Sequence, residues 1–184
     1  MQALLRRCAS SAAFTPAWKG YYVSGGGTGT RCAMRTDDGY EVLSDVPVAA
    51  GGGGGAPQPV QLLLAALCGC EQATAAFVAF KFKPQRLALG RIEFELRAER
   101  DEQGALTLPL DTAELPAPAR LARVWGTATV HGTAATDVQL GRLGEEVHRR
   151  CPVANMVVLS GCTLDIEWRR AECEAGDQQH QLPD

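Results

Sequence analysis

An α+β fold is predicted by three observations. Residues 91–99 alternate strictly, with Ile92, Phe94, Leu96 and Ala98 set between Arg91, Glu93, Glu95, Arg97 and Glu99; a period of two is the mark of a half-buried strand. Residues 60 to about 80 are rich in Leu and Ala and apolar almost all round at their start, which reads as a helix inside the molecule or at a subunit interface. Thr136, with Gln139 three positions on, makes a capping box, and Leu140, Leu143, Val147 and Cys151 then recur near helical spacing. Strands, buried helix, strands, helix and strand, in that order, give antiparallel sheet covering or wrapping helices.

The remaining elements follow from local chemistry. Residues 18–23 and 32–42 read as short strands joined by the glycine-rich turn 25–29. A glycine-rich turn ahead of a helix could cradle phosphate, but Asp38-Gly39 is a hairpin signal and no Gly-Lys-Ser/Thr is present. Residues 51–55 are five successive glycines, too free to hold regular structure, so a flexible loop is expected. Pro57 and Pro59 stiffen the entry to the first long helix, and Pro84 ends it. Residues 101–104 turn the chain, 105–110 suit strand or loop, and 115–121, with Pro116 and Pro118, form a connector. The Thr, Val and Trp content of residues 122–132 makes another strand. Pro152 breaks the capped helix just after Cys151, residues 153–159 start a second short helix, and Leu164, Ile166 and Trp168 alternate with polar residues in a last strand.

With 184 residues, 46% of them apolar and 21% charged, the chain suits one domain with a sizeable core. The boundaries expected are an N-terminal extension over 1–17, a domain over 18–170 and a flexible polar tail over 171–184. A net charge of −3 without a dominant basic cluster argues against nucleic acid as a partner. The longest apolar run reads as too short and too broken to span a bilayer, so no membrane is expected. The first acidic residue is Asp37, and Arg6 and Arg7 lie in an acid-free, Ser-bearing start. That pattern is either a mitochondrial transit peptide or a plain N-terminal arm, and places the protein inside the cell, in the mitochondrial matrix or else the cytoplasm.

Seven cysteines, an odd number in a chain with an ordinary core, favour an intracellular protein with functional thiols over a disulfide scaffold. Cys68 and Cys70 form a Cys-x-Cys, but on a helix they point about 200° apart and cannot readily share a metal. Zinc spacings are missing, and His131, His148 and His180 are scattered. Neither a metal nor a cofactor is expected. Two cysteines stand apart: Cys70 closes the apolar run from Pro59, and Cys151 sits on the inner face at the end of an amphipathic helix. Two thiols on core-packing elements can be held face to face. Taken alone, the two are better explained as buried structural cysteines.

Pro59, Leu62, Leu63, Ala65, Ala66, Gly69 and Cys70, together with Cys151-Pro152-Val153, carry a resemblance to the OsmC/Ohr superfamily of thiol-dependent hydroperoxide reductases. The resemblance covers about residues 18–170. It implies antiparallel sheets wrapped around long central helices in an intertwined homodimer, with active sites near the interface. It implies Cys70 as the peroxidatic thiol, Cys151 as the resolving thiol, an organic hydroperoxide as substrate and a lipoyl- or thioredoxin-type dithiol as reductant. It further implies an Arg from the N-terminal hairpin beside the first thiol, for which Arg31 is the first candidate and Arg35 the second. A Glu early in the first motif should orient that Arg, yet the position holds Val60, followed by Gln61, which lies about 180° from Cys70 around a straight helix. Glu71 is expected to face solvent or an interface, and His148 to be an exposed helix residue. Cys162, near Cys151 in sequence, is an alternative disulfide partner. A non-catalytic dimer holding an apolar ligand at its interface, or a redox sensor, are the other functions compatible with these residues.

Overall fold

A computed structural model describes residues 17–172, so the predicted extension (apart from Ala17), Cys8 and the tail from Cys173 onward lie outside the described residues. The chain divides into two units, Met1–Pro59 and Val60–Asp184.

The first unit holds an antiparallel sheet in the order β1-β2-β3, formed by Val23–Thr28, Arg31–Thr36 and Glu41–Ser44. The glycine-rich stretch expected to be a turn is instead the body of β1, and residues 18–22 are irregular. The reason is steric: a Cβ at Gly25 would fall 2.1 Å from the Ala33 carbonyl oxygen, and one at Gly27 2.3 Å from that of Arg31. Glycine here admits close approach of β2 rather than supplying a bend. The turn lies one step later, between Thr28 and Arg31, and the hairpin expected at Asp38-Gly39 joins β2 to β3.

The five glycines are folded, not free. Gly52 donates to the Pro47 carbonyl and Gly54 to that of Val46, while Gly55 donates to the Asp45 carboxylate at 3.2 Å. Asp45 is 2% exposed and also accepts from the Thr30 hydroxyl at 2.7 Å and from the Val46 amide at 2.8 Å. One carboxylate thus ties the β1–β2 turn to the glycine loop. The Thr30 bond, with the Gly55 and Val46 amides, holds its carboxyl down from 3.8 to about 2. Because the folded value is depressed, the stability from Asp45 is fully present above pH 3.8 and is lost as the pH falls through about 2. Asp45→Asn is expected to flatten that acid limb of a stability–pH curve; an unchanged limb would show that the ionised form is not what holds the loop.

The second unit contains most of α1 (Pro59–Lys81), then β4 (Ile92–Arg100), a helical turn α2 (Gln103–Leu106), β5 (Leu121–Val130), α3 (Asp137–Arg150), α4 (Pro152–Leu159) and β6 (Thr163–Arg170). Residues 103–106 turn helically because Asp101 Oδ1 accepts from the Gln103 amide at 2.8 Å, in place of the simple turn expected there. The capping box on α3 is made as predicted: Thr136 Oγ1 accepts from the Gln139 amide and the Gln139 side chain accepts from the Thr136 amide. The sheet order is β4-β5-β6, antiparallel between β4 and β5 but parallel between β5 and β6. The parallel pair departs from the all-antiparallel expectation because α3 and α4 carry the chain back as a crossover, the connection that parallel neighbours require. At 23 residues α1 is also long and apolar enough to cross a membrane by length and composition. The run judged too short continues helically through Glu71 to Lys81.

Phe94 and Trp168 meet edge to face on one side of the sheet, with ring centroids 5.8 Å apart. The core joins Val124, Ala128, Val130 and Ile166 of the sheet to Leu67, Ala75 and Val78 of α1 and to Leu140, Leu143 and Val147 of α3. Gly144 lets α3 close on this sheet, since a Cβ there would lie 2.4 Å from Trp168 Cδ1. Trp168 is 5% exposed and has no room to retreat. Gly144→Ala should therefore cost about 1–3 kcal/mol in chemical denaturation, despite the better helix propensity of Ala; a neutral or stabilising result would refute the close contact.

Candidate functional site

On α1 the buried positions are Leu67, Glu71, Ala75, Val78 and Ala79, a stripe at helical spacing. Cys70 lies beside that stripe, partly buried and packed against the core. The matching stripe on α3 is Leu140, Leu143, Gly144 and Val147, and it ends at Cys151.

Cys151 has two structural tasks. Its amide closes α3 by donating to the Val147 carbonyl at 2.8 Å, and its sulfur caps α4 by accepting from the Ala154 amide at 3.3 Å. Pro152, occupying the first turn of α4, lacks the amide that would compete for that cap. A thiol at a helix N-terminus is usually made more acidic by the amide dipoles. Here burial wins: Cys151 has no exposed surface, and its thiol is pushed up to about 12, first by desolvation and then by the thiol of Cys70 and the charge of Glu71, against the opposing Ala154 amide. The structure thus brings the two predicted thiols together, and both are free. An unaided Cys151 thiolate would be about a 10⁻⁵ fraction at neutral pH.

Two expectations are corrected. Glu71 faces neither solvent nor a partner: it is 0% exposed, because it occupies the centre of the buried stripe of α1. His148 is not a bare surface residue either. Its Nε2 is buried and stands 3.3 Å from Glu71 Oε2, although its side chain as a whole is 29% exposed. The contact is close enough for an ion pair but is not aligned as a hydrogen bond, so both Glu71 oxygens and His148 Nε2 lack a hydrogen-bond partner. Asn155 holds the local backbone, its Nδ2 donating to the carbonyls of His148 at 2.9 Å and Cys151 at 2.8 Å.

The other predicted residues are placed as follows. Arg31 and Arg35 lie two steps of alternation apart on β2, on its more exposed face, in the first unit. Arg31 Nη1 lies 3.1 Å from where a Cβ of Gly55 would be, so the Asp45-held loop leaves room for that guanidinium. Val60 is 38% exposed and, like Gln61, brings no carboxylate to α1. Cys162 is buried and its thiol is raised by desolvation, with the charge of Arg120 opposing; the neighbour that bears on Cys151 is Cys70. Cys68 is likewise raised, mainly by burial.

Glu71 was legible in principle, as the sole charged residue between positions 60 and 80. Asp45 left no signal, since its partners are backbone amides and one hydroxyl.

Comparison with solved structures shows the same fold. An OsmC-like protein from Mycoplasma pneumoniae superposes with a TM-score of 0.65 at 17% identity, over 84% of this chain and 99% of that one. The organic hydroperoxide resistance protein OsmC of Legionella pneumophila gives 0.59 at 20% identity, over 85% and 100%. The organic hydroperoxide resistance protein OhrB of Bacillus subtilis gives 0.53 at 19% identity, over 84% and 100%. No curated protein matches the chain by sequence. The family model for OsmC-like proteins matches residues 51–167, a span that holds α1, both thiols and the helix junction at Cys151, and the chain therefore belongs to the OsmC-like family.

Proposed function

We propose that the protein is a thiol-dependent peroxidase that reduces organic hydroperoxides through Cys70 and Cys151. The observation that carries this reading is the meeting of two free thiols, one on α1 and one at the α3–α4 junction, both packed against the core. The names of the solved relatives, two of them organic hydroperoxide resistance proteins, support it.

In the first step the Cys70 thiolate attacks the outer oxygen of ROOH; the O–O bond breaks, Cys70 becomes a sulfenic acid, and the alkoxide leaves as ROH by taking up the proton that the Cys70 thiol gave up on ionising. In the second, Cys151 attacks the sulfenic sulfur; the S–O bond breaks, a disulfide forms and water leaves. An external dithiol then reduces the disulfide and is itself oxidised. Cys70 is the attacking thiol because it is the partly exposed one, whereas Cys151 has no surface to offer a substrate. Arg31, with Arg35 second, is the proposed activating cation, and Arg31→Ala should slow the first step while leaving the second unchanged. A homodimer is part of the proposal: Val60, Leu63, Phe77 and Phe80 leave α1 with an exposed apolar side.

The test is steady-state consumption of cumene hydroperoxide by the full chain with dihydrolipoyl or thioredoxin-type reductant. Turnover that depends on the dithiol supports the reading. No turnover with either reductant, from protein whose thiols are shown to be reduced, overturns it.

A further inference from the structure

Glu71 is the residue that the two-thiol scheme leaves unused. A carboxylate with no exposed surface and no hydrogen bond to either oxygen is costly to keep, and the fold places it in the middle of the longest helix. Among the described residues the charged group that approaches it is His148, whose buried Nε2 stands 3.3 Å from it while its side chain as a whole is 29% exposed. The two pairs interleave. Cys70 and Glu71 are successive residues of α1; His148 and Cys151 are one turn apart at the end of α3. The same two helices therefore hold a thiol pair and, beside it, a carboxylate–imidazole pair that runs from the buried interior to solvent.

We propose that Glu71 and His148 form a proton-carrying pair that takes the proton from the Cys151 thiol during disulfide formation and exchanges it with solvent. This rests on the two-thiol reading above and adds the acceptor which that reading lacks. Cys151 is fully buried, and its hydrogen-bonding neighbours among the described residues are the Ala154 amide and the Cys70 thiol, neither of which is a base. If its proton left directly to water, the thiolate would remain as a buried negative charge beside the Glu71 carboxyl. Passing it to Glu71 moves one negative charge across the site and creates none. His148 then relays the proton outward through its exposed edge. In the peroxide reaction the departing hydroxyl takes up one proton, held by the pair or drawn from solvent through it, and leaves as water, so one proton is lost from Cys151 and one is gained by the leaving group and the step balances. Glu71 is among the groups that push the Cys151 thiol up, after burial and the Cys70 thiol.

Titratable groups lie near the pair on both helices. From α1 they are Cys68 and Cys70, and from the α3–α4 junction Cys151. Glu146, Arg149 and Arg150 of α3 pair with one another, and α4 carries no titratable side chain.

The experiment avoids hydroperoxide, so that it can fail independently of the peroxidase reading. Reduced full-length protein is treated with an aryl disulfide such as 5,5′-dithiobis(2-nitrobenzoate), and the release from the other five cysteines, measured on the Cys70→Ser, Cys151→Ser double variant, is subtracted. Attack by Cys70 releases one aryl thiolate and leaves a mixed disulfide; attack by Cys151 on that disulfide releases a second and forms the Cys70–Cys151 bond, which peptide mass mapping assigns. Glu71→Gln is expected to slow the second release about 100-fold near neutral pH and to leave the first within about twofold. The deficit should shrink as the pH is raised from about 7 to about 10, because hydroxide replaces the missing acceptor. His148→Gln, at a partly exposed position, should show the same pH-dependent loss to a smaller degree, and Glu71→Asp should recover part of the rate. A purely structural role would slow both releases together, at every pH. Either that result, or a second release in both Gln variants within about twofold of wild type across the range, overturns the proposal. If the wild-type protein exchanges disulfides as described but consumes no hydroperoxide, the peroxidase reading falls and this one stands.

Discussion

Cys70→Ser is expected to lower hydroperoxide turnover by about 1000-fold or more, while Cys151→Ser completes one half-reaction and stops. The two thiols are neighbours, yet their surroundings assign them different work. A serine hydroxyl at position 70 cannot be oxidised to the equivalent of a sulfenic acid, so no chemistry starts. At position 151 the loss of the thiol leaves Cys70 intact and partly exposed, so it still reacts with ROOH and accumulates as the sulfenic acid. One equivalent of alcohol per chain, and trapping of the acid at Cys70 by a cyclic dione, are the measurements. Wild-type turnover by Cys70→Ser would remove that residue from the reaction. Sustained turnover by Cys151→Ser with the same dithiol would show that the reductant meets Cys70 directly, and would end the resolving role of Cys151. Because the Cys151 sulfur also caps α4, Ser is the right replacement: its oxygen can accept from the Ala154 amide, and a fold change is then no explanation for the stall.

Elements whose identity is written in a local period were legible. β4 alternates residue by residue, α3 announces itself through Thr136 and Gln139, and Cys151 follows Val147 by one turn, so its inward direction could be read directly. Features that depend on a distant backbone were not. Nothing in the run of glycines at 25–27 tells that Ala33 and Arg31 will pass within 2.3 Å of their missing side chains, and composition alone made them a turn. The five glycines from 51 to 55 looked free because the carboxylate that orders them lies at Asp45 and speaks only to amides. The parallel pairing of β6 with β5 depends on where the α3–α4 crossover lands. Glu71 was misread for a different reason. Next to Cys70 on the helix, Glu71 points about 100° away from it. The spacing of Leu67, Ala75 and Val78 shows that direction to be the centre of the buried face. His148, expected as an exposed helix residue, makes the contact that the buried carboxylate needs.

Glu71→Leu is expected to make the protein more stable and a poorer redox enzyme. The carboxylate lies where the stripe of α1 calls for an apolar side chain, between Leu67 and Ala75, with neither oxygen hydrogen-bonded and only an imidazole at 3.3 Å to offset its desolvation. Replacing a buried charge pair by apolar residues of similar volume is commonly neutral or stabilising by about 1–4 kcal/mol, provided that no charge is left behind. His148 meets that condition, since its side chain is 29% exposed and water can reach it once Glu71 is gone. Leu is close to Glu in volume and finds an apolar lining already present in Leu67, Ala75 and Val147. Denaturant unfolding of the reduced protein should therefore show a higher midpoint at unchanged slope, and the second aryl-thiolate release should fall as it does for Glu71→Gln. The two readouts separate the explanations for keeping a carboxylate there. A variant that is destabilised by several kcal/mol would mean that Glu71 holds the two helices together, through a bond stronger than the misaligned contact seen here. A variant that gains stability and keeps its resolving rate would mean that the charge serves neither the fold nor the thiols. Gain of stability with loss of rate is the outcome expected of a group retained for proton transfer against the preference of the core around it.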